Sequence, residues 1–146
     1  MHLLCIDFGN ICRGPLAEVV FRQKLGAAGL PAKVESAGIS IIEPGVPPDP
    51  RAVQVARAKG YRLDDKRCRP LSGIEIAQFD VWLAVDRYVQ DHLRTWPLPT
   101  NGRRVRLLHP EGIEILDPHD GTMEDFERAL DLIEEAAEVF AARLRS

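Results

Sequence analysis

A chain of 146 residues, 45% of them hydrophobic, is long enough for one buried core, and a single domain over residues 1–146 is expected. A formal net charge of −3 argues against general nucleic-acid binding and against a polybasic membrane surface. No apolar run approaches the ~20 residues that span a bilayer, and the first residues do not read as a signal peptide. The three scattered cysteines, Cys5, Cys12 and Cys68, suit a reducing cytoplasm better than a disulfide framework or a clustered zinc site. A cytoplasmic protein without cofactor or metal is therefore expected.

Leu3 to Ile6 is an apolar run that predicts a short buried strand. It leads into Phe8-Gly9-Asn10-Ile11-Cys12-Arg13-Gly14, after which Pro15 is placed to open a helix as its first residue. Ala17, Val20, Phe21, Leu25 and Ala28 continue at helical spacing, and Gly29 is a natural stop. Ala32 to Ala37 predicts a second strand. Pro44, Gly45, Pro47 and Pro48 exclude regular structure between Gly38 and Pro48. Asp49-Pro50 then predicts an N-cap and first residue of a helix running to about Lys59.

Phe79 to Val85 predicts a third strand, followed by Asp86 as the cap of another helix. Trp96 to Arg103 is a loop, and Val105 to Leu108 reads as the last strand. Arg103, Arg104 and Arg106 form a short basic run on that loop and strand edge. Thr122 with Asp125 approximates a capping box. Phe126, Leu130, Ile133, Ala137, Phe140 and Leu144 form one apolar stripe beyond it. Strands alternating with helices indicate an α/β domain, with a parallel sheet, helices on both faces, and binding at the carboxyl ends of the strands.

A strand, a tight turn and a helix N-terminus make a cradle of outward-pointing N–H groups that suits an anion. Arg13 at its end offers a planar fork for phosphate oxygens. The wording Gly9-Asn10-Ile11-Cys12-Arg13-Gly14-Pro15-Leu16-Ala17-Glu18 closely resembles the phosphate-binding loop of the low-molecular-weight protein-tyrosine phosphatases. That family has a nucleophilic Cys, five residues, an Arg, then Ser-Pro. Ser36-Ala37-Gly38, Asp49-Pro50-Arg51-Ala52, Asp86, and Asp117-Pro118 with Asp125-Phe126-Glu127 follow the family's later blocks in order. The resemblance implies a doubly wound, four-stranded parallel sheet.

By the same resemblance, Phe8 to Gly14 is the phosphate-binding loop, Arg13 the phosphate clamp and Asp117 the general acid. The nucleophile position falls on Asp7, and the family's loop Ser is Gly14. A cysteine thiolate combines low proton affinity in a positive cradle with high nucleophilicity, and a carboxylate attacks phosphorus less readily. An ionised Asp7 about 4 Å from a bound phosphate would repel it by about 4 kcal/mol at an effective dielectric near 20. The expectation is that turn N–H groups and Arg13 stabilise the Asp7 carboxylate, so that it partly plugs the anion site. Cys12 matches a second loop cysteine that protects the nucleophile in some members; with Asp7 in place it becomes a small buried residue.

The cleft edge differs as well. The family's Asp-Pro-Tyr-Tyr wording is replaced by Asp117-Pro118-His119-Asp120, and the usual aromatic of the loop after the second strand falls near Ile42. Ring stacking, worth about 0.5–1.5 kcal/mol per pair, is depleted, and Asp120 adds negative charge. Two functions follow as expectations. One is a noncatalytic member that binds a phosphoprotein or a partner of an active relative. The other is a phosphomonoester hydrolase working through an Asp7 acyl-phosphate, or an active parent altered at residue 7.

Overall fold

In the computed structural model, which describes residues 1–41, 43–73, 76–97 and 105–146, the first apolar run forms β1, His2–Asp7. Leu3, Leu4, Cys5 and Ile6 are all fully buried. Successive side chains of a strand point to opposite faces, so this strand is covered on both. It pairs in parallel with β2, Lys33–Gly38, on one side and with β3, Val81–Ala84, on the other. β4, Val105–Leu107, adds in parallel to β3 and gives the order β2-β1-β3-β4. The chain leaves β1 in one direction and returns past it to β3. The crevice at the carboxyl ends of β1 and β3 is thus the switch point at which such sheets bind ligands.

Among the described residues, four α-helices complete the α/β architecture. α1 spans Arg13–Ala27, α2 Pro50–Ala58, α3 Arg87–Leu93 and α4 Met123–Arg145. The cap residues read from the sequence act as such. Asp49 accepts from the Arg51 N–H at 2.9 Å, and Asp86 accepts from the Val89 N–H at 2.9 Å. Thr122 and Asp125 exchange bonds as a capping box at the start of α4. Gly29, at φ 75°, follows the end of α1.

Several boundaries differ from the sequence expectation. α1 opens at Arg13, so Pro15 is its third residue, still within the first turn, where no N–H is needed. All residues from Arg13 to Phe21 are buried. This helix lies against β1 and β2 and under α4, which leaves it little solvated face. β3 is shorter than Phe79 to Val85, although the Val85 N–H still reaches Ile6 O at 3.0 Å. β4 ends before Leu108, whose N–H continues the ladder to Ala84 O at 2.7 Å. Leu144 does not complete the α4 stripe: it is exposed, because the last turn runs past the core that Phe140 and Ala141 close. Ile42, Arg103 and Arg104 lie outside the described residues.

The Thr122–Asp125 box supplies a direct stability test. Replacing Thr122 with Ala removes one side of it, and a loss of about 1 kcal/mol in urea unfolding is expected.

Candidate functional site

Asp7 is the last residue of β1, and its carboxylate turns back into the loop that follows. Oδ1 accepts from the Asn10 N–H and Oδ2 from the Gly14 N–H, each at 2.7 Å. Asn10 takes the left-handed conformation at φ 55°, which Asn tolerates better than most residues. Its side chain donates to Ser36 Oγ at 3.1 Å and accepts from the Arg69 N–H at 2.8 Å. Ser36 in turn donates to the buried Glu18, which Lys66 and Arg22 also contact. The turn is therefore tied to β2 and to the 60s segment. Gly38 closes the fit: a Cβ there would come within 2.8 Å of Phe8 O and 2.9 Å of Asn10 N.

Gly14 has a more specific role. A Cβ at this position would lie 2.9 Å from Asp7 Cγ, 2.9 Å from Asp7 Oδ2 and 2.9 Å from Asn10 Nδ2. The carboxylate occupies the space that a side chain at residue 14 would need. Asp7 and Gly14 are thus sterically matched to each other.

The expectation that turn N–H groups and Arg13 favour the Asp7 carboxylate holds in direction, but enclosure outweighs them. Burial pushes its pKa up to about 6, outweighing the N–H of Gly14, the charge of Arg13 and the N–H of Asn10. The Asp117 charge adds to the rise. Among the described residues Arg13 makes no hydrogen bond to Asp7, and its Nη1 is committed elsewhere. That nitrogen donates to Asp86 Oδ2 at 2.6 Å and to Ile115 O at 2.7 Å. Its Nη2 lies 3.7 Å from Asp117 Oδ2.

Asp7, Phe8, Gly9, Ile11, Cys12 and Arg13 line one side of a cavity of about 510 Å³, with Asp117, His119 and Asp120 on another. That volume falls within the range of small-molecule sites. Asp117 is half exposed and accepts from the His119 N–H at 3.0 Å. His119 and Asp120 are exposed at the mouth. Phe8 is also exposed there and pairs with Tyr88, ring centroids 6.1 Å apart. This aromatic contact was not visible from the sequence, since Tyr88 belongs to the first turn of α3 and carries no motif.

Arg51 fastens the far wall. Besides Asp49, it donates to His119 O at 2.8 Å and Gly121 O at 3.2 Å, with its guanidinium 4.5 Å from the Phe126 ring centroid. Beside it, Cys12, Asp49 and His119 bring a sulfur, a carboxylate oxygen and an imidazole nitrogen within 4.8 Å of one another. Long separations in the chain hid this set from any reading of local spacing. The Cys12 thiol is raised by burial and then by the charges of Asp49, Asp117 and Asp7. Cys5 is fully buried and raised by burial and the neighbouring Glu18 and Asp7, so it offers no alternative thiolate.

Two measurements follow from the Asp7–Gly14 contact. Gly14→Ser alone should be strongly destabilising, whereas Asp7→Cys with Gly14→Ser should cost clearly less than the sum of the single changes. A double-mutant cycle in urea checks this non-additivity. Asp7 also predicts a pH dependence. Its pKa is raised on folding, so its stabilising contribution is complete below the unfolded value of 3.8 and lost as pH climbs through about 6. Between about pH 4 and 7 the parent chain should lose up to about 3 kcal/mol relative to Asp7→Asn. Parallel urea titrations of the two proteins across that window read the difference.

A profile of the family described as "Low molecular weight phosphotyrosine protein phosphatase" matches residues 2–146. The probable low molecular weight protein-tyrosine-phosphatase EpsP of Ralstonia nicotianae is 31% identical over 144 residues, covering 99% of this chain and 96% of that one. Among solved structures, a mutant YwlE arginine phosphatase with a phosphorylated active-site serine superposes with a TM-score of 0.90 at 25% identity. The match covers 100% of this chain and 97% of that one. The protein tyrosine phosphatase of Entamoeba histolytica with Hepes in its active site gives a TM-score of 0.91 at 27% identity, over 99% and 97% of the two chains. Sheet order, switch-point loop and full-length sequence similarity agree, and the chain belongs to the low-molecular-weight protein-tyrosine phosphatase family.

Proposed function

We propose that this chain is a noncatalytic member of its family, a binding or regulatory module whose anion loop is occupied by its own Asp7 carboxylate. The observation that carries this reading is the pair of 2.7 Å bonds from the Asn10 and Gly14 N–H groups to Asp7. Donors that would otherwise face a phosphate oxygen already have acceptors. With a pKa of about 6, Asp7 is mainly ionised at neutral pH, and its charge opposes a second anion in the same loop. The Nη1 of Arg13 is likewise engaged by Asp86 and Ile115 O. What remains is a half-open cavity with Phe8 and Tyr88 at its rim, suited to a partner's side chain. A phosphoprotein or a partner shared with an active relative is the class of ligand that this reading assigns.

One observation favours a second reading. The similar YwlE mutant carries a phosphorylated active-site serine, so an oxygen nucleophile accepts phosphate on this scaffold. An Asp7 acyl-phosphate would then be the intermediate of a phosphomonoesterase, helped by a cation that offsets the meeting of two anions.

p-Nitrophenyl phosphate separates the two. No turnover above background is expected in chelator or with magnesium. Asp7→Cys combined with Gly14→Ser should raise hydrolysis sharply, since it restores the thiolate and the loop hydroxyl together. Sustained metal-free hydrolysis by the parent chain would falsify the noncatalytic reading, and magnesium-dependent turnover with a trapped aspartyl-phosphate would establish the second.

A further inference from the structure

Cys12, Asp49 and His119 belong to three separate stretches: the residue before α1, the cap of α2, and the loop after β4. Their candidate ligand atoms lie within 4.8 Å of one another. We propose that they form a zinc-class metal site at the cavity mouth, with Cys12 Sγ, Asp49 Oδ2 and His119 Nδ1 as protein ligands and a fourth position for water or an anion. Neither Asp7 nor Gly14 belongs to this set, so the inference does not rest on the plugged-loop reading and fails or stands separately from it.

The donor set fits the metal. Thiolate, imidazole and carboxylate are the three ligand types zinc takes, and three protein ligands with one open position is its usual non-structural arrangement. Calcium and magnesium would prefer oxygen ligands alone.

The groups are also free to bind. Cys12 makes no capping bond to α1, and His119 Nδ1 stands 3.7 Å from Asp49 Oδ2, beyond hydrogen-bond reach. The Asp49 carboxylate has roughly four lone-pair sites. Oδ1 accepts from the Arg51 N–H at 2.9 Å and Arg51 Nε at 3.1 Å, while among the described residues Oδ2 accepts only from Arg51 Nη2 at 2.8 Å. One site therefore remains on Oδ2, the oxygen nearest His119. Arg51 acts as the outer partner that orients a ligating carboxylate.

The local field favours a cation. Asp7, Asp117 and Asp120 line the same cavity as Cys12 and His119, facing the guanidinium of Arg13 and, through Asp49, that of Arg51. Coordination releases the Cys12 proton to solvent and leaves a thiolate on the metal. Such an ion would join α1, α2 and the 117–121 loop at one point.

Cobalt is the probe, added to chelator-stripped full-length chain. One Co²⁺ per chain is expected, with a sulfur-to-metal charge-transfer band and the intense visible bands of a tetrahedral centre, both erased by Zn²⁺. Cys12→Ser should abolish the charge-transfer band, and His119→Ala should weaken Co²⁺ binding at least about tenfold. Cys68→Ser, at the other cysteine of the cavity, should change neither. Circular dichroism of each variant in chelator separates a lost site from a lost fold, and the exposed His119 gives a variant that leaves the core untouched. Absence of the charge-transfer band, its loss in Cys68→Ser, or unchanged affinity in His119→Ala would each overturn the site.

Discussion

Two hydrogen bonds from the turn after β1 to the Asp7 carboxylate set the character of this molecule. They join the end of a buried strand to the first turn of a buried helix. They also require glycine at residue 14, because any Cβ there meets the carboxylate. The turn is over-determined from outside as well, since Asn10 holds both Ser36 and the Arg69 N–H. A loop supported in this way keeps its shape without a bound ligand.

The energetics of that arrangement are mixed. A fully buried carboxylate carries a desolvation cost that two N–H donors and the Arg13 charge do not fully offset, hence the upward pKa. Arg13 could offset more if it turned inwards, but Asp86 and the Ile115 carbonyl hold it from the other side. The family fold thus encloses a buried carboxylate whose charge is only partly offset.

Much of this was legible from the residues. Leu3 to Ile6 declared a two-sided buried strand, and Asp49, Asp86 and Thr122 declared their helices, because capping chemistry is local. The loop resemblance implied that Asp7, Arg13 and Asp117 share one site, and all three line the same cavity. Burial was harder to read. The sequence suggested a stabilised carboxylate at Asp7, whereas the cost of enclosure depends on every element packed around the turn. The alternative partners of Arg13 come from after β3 and after β4, and no spacing rule reaches that far. Leu144 falls on the apolar stripe yet is exposed, because periodicity does not say where the covering layer ends. Cys12, Asp49 and His119 meet only through the sheet order β2-β1-β3-β4, which places three distant segments at one end of the strands.

Arg51 grips the loop carrying Asp117 by the carbonyl oxygens of His119 and Gly121, not by any of its side chains. The loop's path is consequently indifferent to what residues 119 and 120 happen to be. A change in their identity can rewrite the chemistry of the cleft rim while the scaffold beneath stays put.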